Sequence, residues 1–476
     1  MIKYTLGWLL LFEAIFLIAP GIAAIVYRER AGLAFLATIL VCAALGALFI
    51  YKKPKNTTLY SKDGFVVVAL SWITLSLFGS LPFLISGVTP NFVNALFETV
   101  SGFTTTGASI FSDVESLPRS IILWRSVMHW VGGMGVLVFV MAFLPLGGAH
   151  NMHIMKAEST GPSVSKLVPR VKNTAIILYT IYIALTLTQL VMLLCGKMSF
   201  FEALNTALST AGTGGFGFKN DSLASCSSYI QIVVTVFMLL FSINFNSYYL
   251  AMKLKFKDAF NTEVKVFLGI VFVAIAIISA DTFVSGVFSN LGDAIKHSAF
   301  TVSSLISTTG FATADFNLWP GLSKTLIVLI MFVGACAGST GGGIKVSRIV
   351  ILFKGMAREL NRTIHPRQVK KLTLDSRLID HEVIRSVNAY IICYILIFAA
   401  SIALISFNEY DLVTNFTSVT AAINNIGPGL ELVGPTQSFG HFDIFSKLVL
   451  IFDMLAGRLE LFPMLILFSP RAWKKQ

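Results

Sequence analysis

Long apolar runs separated by short, basic connections make up this chain. Runs such as 65–85 and 232–252 are long enough to cross ~30 Å of hydrocarbon as helices. Ten spans can be drawn, at about 3–26, 33–51, 64–85, 123–146, 174–194, 229–252, 264–280, 322–353, 382–407 and 445–467. The first is longer than the h-region of a signal peptide and is followed at once by a second, so it reads as a retained helix. After the third, fifth, seventh and ninth spans comes a shorter, less apolar helical segment that ends in a Thr/Gly-rich turn. The four segments are FETVSGFTTTGASI (97–110), FEALNTALSTAGTGGFG (201–217), HSAFTVSSLISTTGF (297–311) and FTSVTAAINNIGPG (416–429).

Aligned on one glycine each, the segments superpose Gly107, Gly214, Gly310 and Gly427, with a period of roughly 100 residues that marks an internal repeat. Each repeat is span, half-helix, turn, span. Two full crossings return the chain to its starting side, so all four repeats point the same way. The predicted fold is an all-α polytopic membrane protein of ten transmembrane helices. Four parallel helix–pore-helix–filter-turn–helix repeats surround a pseudo-fourfold pore, preceded by a two-helix hairpin. The divisions fall at 1–57 for the hairpin and 58–150, 151–258, 259–360 and 361–476 for the repeats.

Charge supports this reading and sets a direction. Only 13% of the 476 residues are charged against 55% hydrophobic, about half the roughly 25% charge of a soluble domain, which excludes a soluble enzyme. The net charge of +12 comes from residues between apolar runs, so nucleic acid is not the expected partner. With both termini cytoplasmic, 26 of the 36 Lys and Arg fall on inside segments, and the reversed topology would place the minority there. The five scattered cysteines form neither a disulfide framework nor a zinc motif.

The turns have the chemistry of a cation path. Non-helical backbone at membrane depth is tolerated only where protein or water satisfies it. Four such turns on one axis can aim carbonyl oxygens inward in place of an ion's hydration shell. Half-helices that end at the turns direct their negative dipole ends toward the site. The turns lack a carboxylate ring, so the ligand set suits an alkali ion better than a divalent one. No metal triad, nucleophile elbow or paired catalytic carboxylates appear, and no enzyme or cofactor is expected. GTGGFG (212–217) matches a dinucleotide fingerprint only formally, since a half-helix precedes it and no βαβ unit exists.

SGFTTTGAS (101–109), STAGTGGFG (209–217), STTGFATADF (307–316) and INNIGPGL (423–430) resemble the four filter turns of the Trk/Ktr/HKT superfamily. WVGGMG (130–135), GACAGSTGGGIK (334–345) and AGRLELFP (456–463) resemble its bacterial Trk-type membrane subunits in particular. The resemblance spans essentially the whole chain. It implies a filter of Thr105, Thr106 and Gly107; Gly212, Thr213 and Gly214; Thr308, Thr309 and Gly310; and Asn425, Ile426 and Gly427. Gly212 stands where a bulkier residue is usual, which implies a looser second strand. Some plant members with Ser at the first filter glycine select sodium, so Gly107 implies potassium. The resemblance further implies an intramembrane gating loop at Gly338, Ser339, Thr340, Gly341, Gly342 and Gly343, and an electrostatic barrier at Arg458. It also implies a cytoplasmic nucleotide-binding regulatory ring, a homodimer, and residence in the bacterial cytoplasmic membrane.

Several residues carry two readings. The five glycines of GACAGSTGGG fit close small-xxx-small packing at Gly334 and Gly338, but exceed that need and fit a broken helix better. Arg458, placed mid-helix in the last span, either faces the pore or pairs with Asp453 or Glu460. Glu98 and Glu202 either focus cations at the mouth or bond to neighbours. Lys345 and Arg348 read as markers of the cytoplasmic boundary, and His150 with His153 as part of a polar loop. A competing function, potassium symport with sodium or protons, would need Glu13, Glu98 or Glu202 to titrate or to bind a second ion.

Overall fold

The computed structural model of the chain describes residues 2–52, 61–135, 171–367, 371–375 and 377–473. Among these the chain is helical, apart from a small antiparallel ribbon of β1 (Thr373–Leu374) and β2 (Arg377–Leu378), which the all-α expectation lacked. Among the described residues six helices are long and apolar enough to cross a bilayer: Ile2–Val26, Gly32–Ile50, Lys62–Ile85, Ala175–Cys195, Thr262–Val284 and His381–Asn408. Large apolar side chains face outward along them, with Phe272 74% and Leu396 64% exposed, as hydrocarbon surroundings allow and water does not. The chain is a helical, multi-pass membrane protein.

The first span is α1 (Ile2–Phe16) with α2 (Ile18–Val26), and α3 (Gly32–Ile50) returns beside it. Gly7 and Gly46 set their approach, since a Cβ on either would lie within 3.0 Å of the other's carbonyl oxygen. Next come α4 (Ser61–Gly79), α5 (Leu81–Ile85), the short α6 (Phe92–Phe103) and α7 (Arg119–Gly133). The second set is α8 (Val171–Cys195), the short α9 (Phe200–Ala211), α10 (Ser228–Ser242), α11 (Phe245–Met252) and α12 (Phe256–Ala259). The third is α13 (Thr262–Val284), the short α14 (Leu291–Ile306), α15 (Gly321–Val333) and α16 (Val346–Ile364). The last is α17 (His381–Ile405), the short α18 (Leu412–Ile423), α19 (Ile444–Arg458) and α20 (Phe462–Leu467).

Each short helix starts where a polar side chain caps it. Asn91, Ser199, Asn290 and Asp411 accept bonds from the first free N–H groups of α6, α9, α14 and α18. Ser199 and Glu202 complete a capping box, so Glu202 bonds to its neighbours at the helix start.

Three expected spans are not continuous helices. The sixth bends by 91° between α10 and α11, where Ile243 is the C-cap of one helix and Asn244 caps the next. The eighth is interrupted over residues 334–345, where Gly334, Gly338 and Gly343 all have positive φ. This excludes small-xxx-small helix packing at Gly334 and Gly338. The tenth breaks after Arg458, with Glu460 and Leu461 left-handed just before Pro463, whose ring cannot continue the preceding helix. Arg458 is therefore a helix terminus and not mid-helix. Of the fourth span, α7 covers the part to Gly133, and 136–146 lies outside the described residues, as do His150 and His153. The divisions at 57/58 and 150/151 also lie outside them, while those at 258/259 and 360/361 fall within α12 and α16.

Asp443 caps α19 through bonds from Phe445 N and Ser446 N. Asp443→Ala should cost about 1 kcal/mol and lower the thermal unfolding midpoint of the detergent-solubilised protein.

Candidate ion pathway

The four short helices end alike. At each C-terminus one residue turns left-handed: Thr105 (φ 56), Thr213 (φ 53), Thr308 (φ 59) and Asn425 (φ 54). Its N–H bonds to the carbonyl three residues back, and the next N–H to the carbonyl five residues before it. The second bond runs Thr106 to Ser101, Gly214 to Ser209, Thr309 to Ser304 and Ile426 to Ala421. This is the Schellman ending, in which glycine normally takes the left-handed place. Here β-branched Thr takes it three times, an unfavourable conformation for that residue type. Two residues on stands a glycine of positive φ: Gly107 (80), Gly215 (75), Gly310 (85) and Gly427 (100).

That common geometry moves the register of the second turn by one residue. Gly215, not Gly214, is equivalent to Gly107, Gly310 and Gly427, and Gly212 is equivalent to Thr104, Ser307 and Asn424, the C-cap residues. The turn contributes Thr213, Gly214 and Gly215, so the odd glycine at the head of the second strand disappears. The string GTGG offered two glycines to align, and only the hydrogen bonds distinguish them.

The turns also abut one another in chain order. An added Cβ would lie 1.9 Å from Gly214 O at Gly107, 2.0 Å from Thr309 O at Gly215, 2.2 Å from Ile426 O at Gly310 and 2.8 Å from Thr106 O at Gly427. Each glycine is thus set against the equivalent carbonyl of the next turn, and the fourth meets the first. All four glycines line a single cavity, which Arg125, Lys219, Asn220 and Gln437 also border.

The interrupted segment 334–345 packs against turns three and four. Gly342 N donates to Thr308 Oγ1 (2.6 Å), and a Cβ on Gly342 would lie 2.4 Å from Asn424 O, one on Gly341 2.8 Å from Ser307 O. Ser339 Oγ donates to Cys336 O, and Thr340 Oγ1 to Phe241 O at the α10–α11 bend. Gly338 O accepts from Phe245 N at the same bend. Glu263 Oε1 accepts from Ala337 N (2.7 Å) and Ser347 N (3.2 Å), bridging both flanks of the segment. Arg458 donates to Thr340 O (2.8 Å), to Gly133 O (2.6 Å) and to Gly132 O. Asp453 accepts from Ser401 Oγ, and Glu460 pairs with Arg348.

Lys345 and Arg348 are buried, Lys345 Nζ donating to Gly341 O and the Arg348 guanidinium lying 3.9 Å from the Tyr390 ring centroid. Both side chains are thus held within the protein. Glu98 is likewise buried, in an ion pair with Arg125 Nε (2.7 Å), and accepts from Ile110 N and Ser109 Oγ. It braces the segment after turn one and does not face the mouth. Arg125 also donates to Ser109 Oγ and stacks over Phe216. In the connection beyond, the Asn220 side-chain amide donates to Asp113 (2.9 Å) and holds its carboxyl below the usual carboxylate range.

The TrkH family of cation transport proteins matches residues 31–475. The chain is 35% identical to the Trk system potassium uptake protein TrkH of Escherichia coli K12, over 100% of this chain and 99% of that one. It is also 35% identical to the protein of that name from Vibrio parahaemolyticus, over 98% of each. A crystal structure of the potassium transporter TrkH from Vibrio parahaemolyticus superposes with a TM-score of 0.89 at 32% identity, covering 99% of both chains. The chain belongs to the TrkH family. Its family is one of transporters without a cofactor, and the chain is not an enzyme.

For this TrkH-family chain, sequence reasoning named every turn and the segment beneath them, but missed what backs them. Glu263 and Arg125 were passed over, although an Arg inside an apolar helix is itself a signal. His129, fully buried against the second turn, carried the same signal in the same helix and was missed as well. Arg125→Met should strand the Glu98 carboxylate and cost about 3–5 kcal/mol, whereas Arg125→Met with Glu98→Gln should recover most of it. Thermal unfolding of the two variants in detergent measures the difference.

Proposed function

We propose that this chain takes up potassium ions across the cytoplasmic membrane through a selective, channel-like pore formed by four parallel repeats. The observation that carries this reading is the closed ring of equivalent turns, each glycine against the next turn's carbonyl. The filter comprises Thr105, Thr106 and Gly107; Thr213, Gly214 and Gly215; Thr308, Thr309 and Gly310; and Asn425, Ile426 and Gly427. Three Thr held left-handed are a steric outlier, and such outliers cluster at functional sites. Four helix C-termini bring partial negative charge to the ring, which favours a cation. The printed names of the relatives, potassium uptake proteins, agree.

Potential alone suffices as the driving force. About −150 mV is worth roughly 3.5 kcal/mol per charge, enough for about a 300-fold gradient. The segment from Gly338 to Gly343 is the gate, a nonhelical strap beneath turns three and four. The Arg458 guanidinium, bonded to Thr340 O and to the carbonyls of Gly132 and Gly133, holds the strap and opposes cations below the filter. A cytoplasmic nucleotide-binding regulatory ring acts on this strap, and the membrane subunit is a homodimer with both termini cytoplasmic.

One observation favours the coupled alternative. Glu13 is buried in α1, and among the described residues neither carboxylate oxygen has a hydrogen-bond partner, a place where a proton or sodium ion would be coupled. Flux of K⁺, Rb⁺ and Na⁺ through the purified chain in liposomes at a clamped potential separates the two. Potassium flux that follows voltage alone supports the uniport; flux that requires a sodium or proton gradient supports symport. Gly107→Ser should lower the K⁺/Na⁺ flux ratio, and an unchanged ratio would remove Gly107 from the filter. Arg458→Ala should raise flux per folded molecule if the guanidinium opposes ions, and lower only yield if its role is structural.

A further inference from the structure

The four turns share a backbone but not a brace. In turn one, the side chains either side of the left-handed residue bond to each other, Thr104 Oγ1 to Thr106 Oγ1 at 2.8 Å. Turn three repeats the device with Ser307 Oγ and Thr309 Oγ1 at 2.6 Å. In turn four the equivalent residues are Asn424 and Ile426, and Asn424 Oδ1 accepts from Tyr394 OH of α17 at 3.1 Å. Turn two has glycine at both places, Gly212 and Gly214, so the flanking pair is missing there and the side-chain bond within the turn is that of Thr213 Oγ1 to Gly212 O at 2.6 Å.

The space is nevertheless filled. A Cβ added to Gly214 would lie 1.2 Å from His129 Nδ1 and 2.0 Å from its Cε1, and one added to Gly212 would lie 2.1 Å from His129 O. His129 comes from α7, the helix that leaves turn one. Its imidazole is fully buried, with its ring centroid 4.2 Å from that of Phe216, which follows turn two. Neither ring nitrogen has a hydrogen-bond partner among the described residues. The contact that remains is steric: the ring occupies the volume that Thr106, Thr309 and Ile426 fill with their own side chains. Gly133, next but three along α7, brings the backbones together, since a Cβ there would lie 2.7 Å from Gly212 Cα.

We propose that His129 is a specificity-determining positioning residue, the missing side chain of the second filter turn supplied from a neighbouring helix. The inference rests on the turns being the potassium filter. A filter that discriminates by the placing of its carbonyls needs all four strands held alike, and Gly214 O is one of the four oxygens set against a neighbouring glycine. Without the ring, a strand of Thr between glycines has lost its lateral support. Its carbonyls then adapt to a smaller ion.

The test is the K⁺/Na⁺ flux ratio of the full-length protein in liposomes, with thermal unfolding measured alongside and Gly107→Ser as the reference variant. His129→Ala should lower the ratio by about tenfold, the scale of coupling between groups in contact. Gly214→Ala alone places a methyl in the ring and should also perturb the ratio. In the His129→Ala/Gly214→Ala double variant the methyl enters vacated space, at a residue whose φ lies outside the left-handed region, and should recover part of the ratio. Such recovery is not expected of a residue that merely stabilises the helix bundle, whose loss lowers the unfolding midpoint and leaves the ratio alone. An unchanged ratio in His129→Ala beside a lowered one in Gly107→Ser overturns the role of His129 and leaves the filter standing. An unchanged ratio in both overturns the filter reading and this inference with it. Should His129→Ala fail to fold, His129→Asn, which shortens the side chain but retains a polar group, is read in the same way.

Discussion

Four helix ends meet in this protein with no helix beyond them to take their hydrogen bonds, and the rest of the structure is arranged around that meeting. Each end is closed locally by a left-handed residue and two bonds back into its own helix, so the backbone polar groups are largely satisfied before any neighbour arrives. What remains is a row of carbonyls that must stand close together. Glycine at 107, 215, 310 and 427 is the condition of that closeness, because a Cβ at any of them would enter the oxygen of the adjacent turn.

The same requirement spreads outward. The helices that leave the turns must pass close behind them, and they do so at glycine: a Cβ on Gly132 would lie 1.8 Å from Phe103 O, and one on Gly457 1.9 Å from Ile423 O. These are corresponding contacts, each against the last residue of a short helix. Below turns three and four the eighth span gives up its helix altogether, because a helical backbone cannot bring Gly341 and Gly342 against Ser307 O and Asn424 O. The segment is then held by groups recruited from elsewhere: Glu263 at its flanks, the α10–α11 bend at one side and Arg458 at Thr340. A buried charge is tolerable when it is hydrogen-bonded, and each of these is.

Much of this was legible in the sequence. The four strings ending in Gly107, the 212–215 glycines, Gly310 and Gly427 are visible because their chemistry is local: a half-helix, a hydroxyl, a glycine. The broken eighth span was visible for the same reason, its glycines being too many for a helix. The breaks at Asn244 and after Arg458 were not, because each depends on one or two residues whose conformation is set by what they pack against. The choice between the two readings of Glu98 was not legible either, since it turns on Arg125 lying beside it, and nor was the partner of Lys345 at Gly341 O.

By itself, then, the sequence determined the membrane, its apolar helices, the four short helices with their turns and the residue types there, all properties that neighbouring residues along the chain carry together. The tertiary structure alone decided which of two adjacent glycines in 212–215 stands in the ring, which carboxylates are paired, and that the ring of His129 fills the place left empty at Gly214. These are distances between residues far apart in the chain, and periodicity and composition hold no information about them.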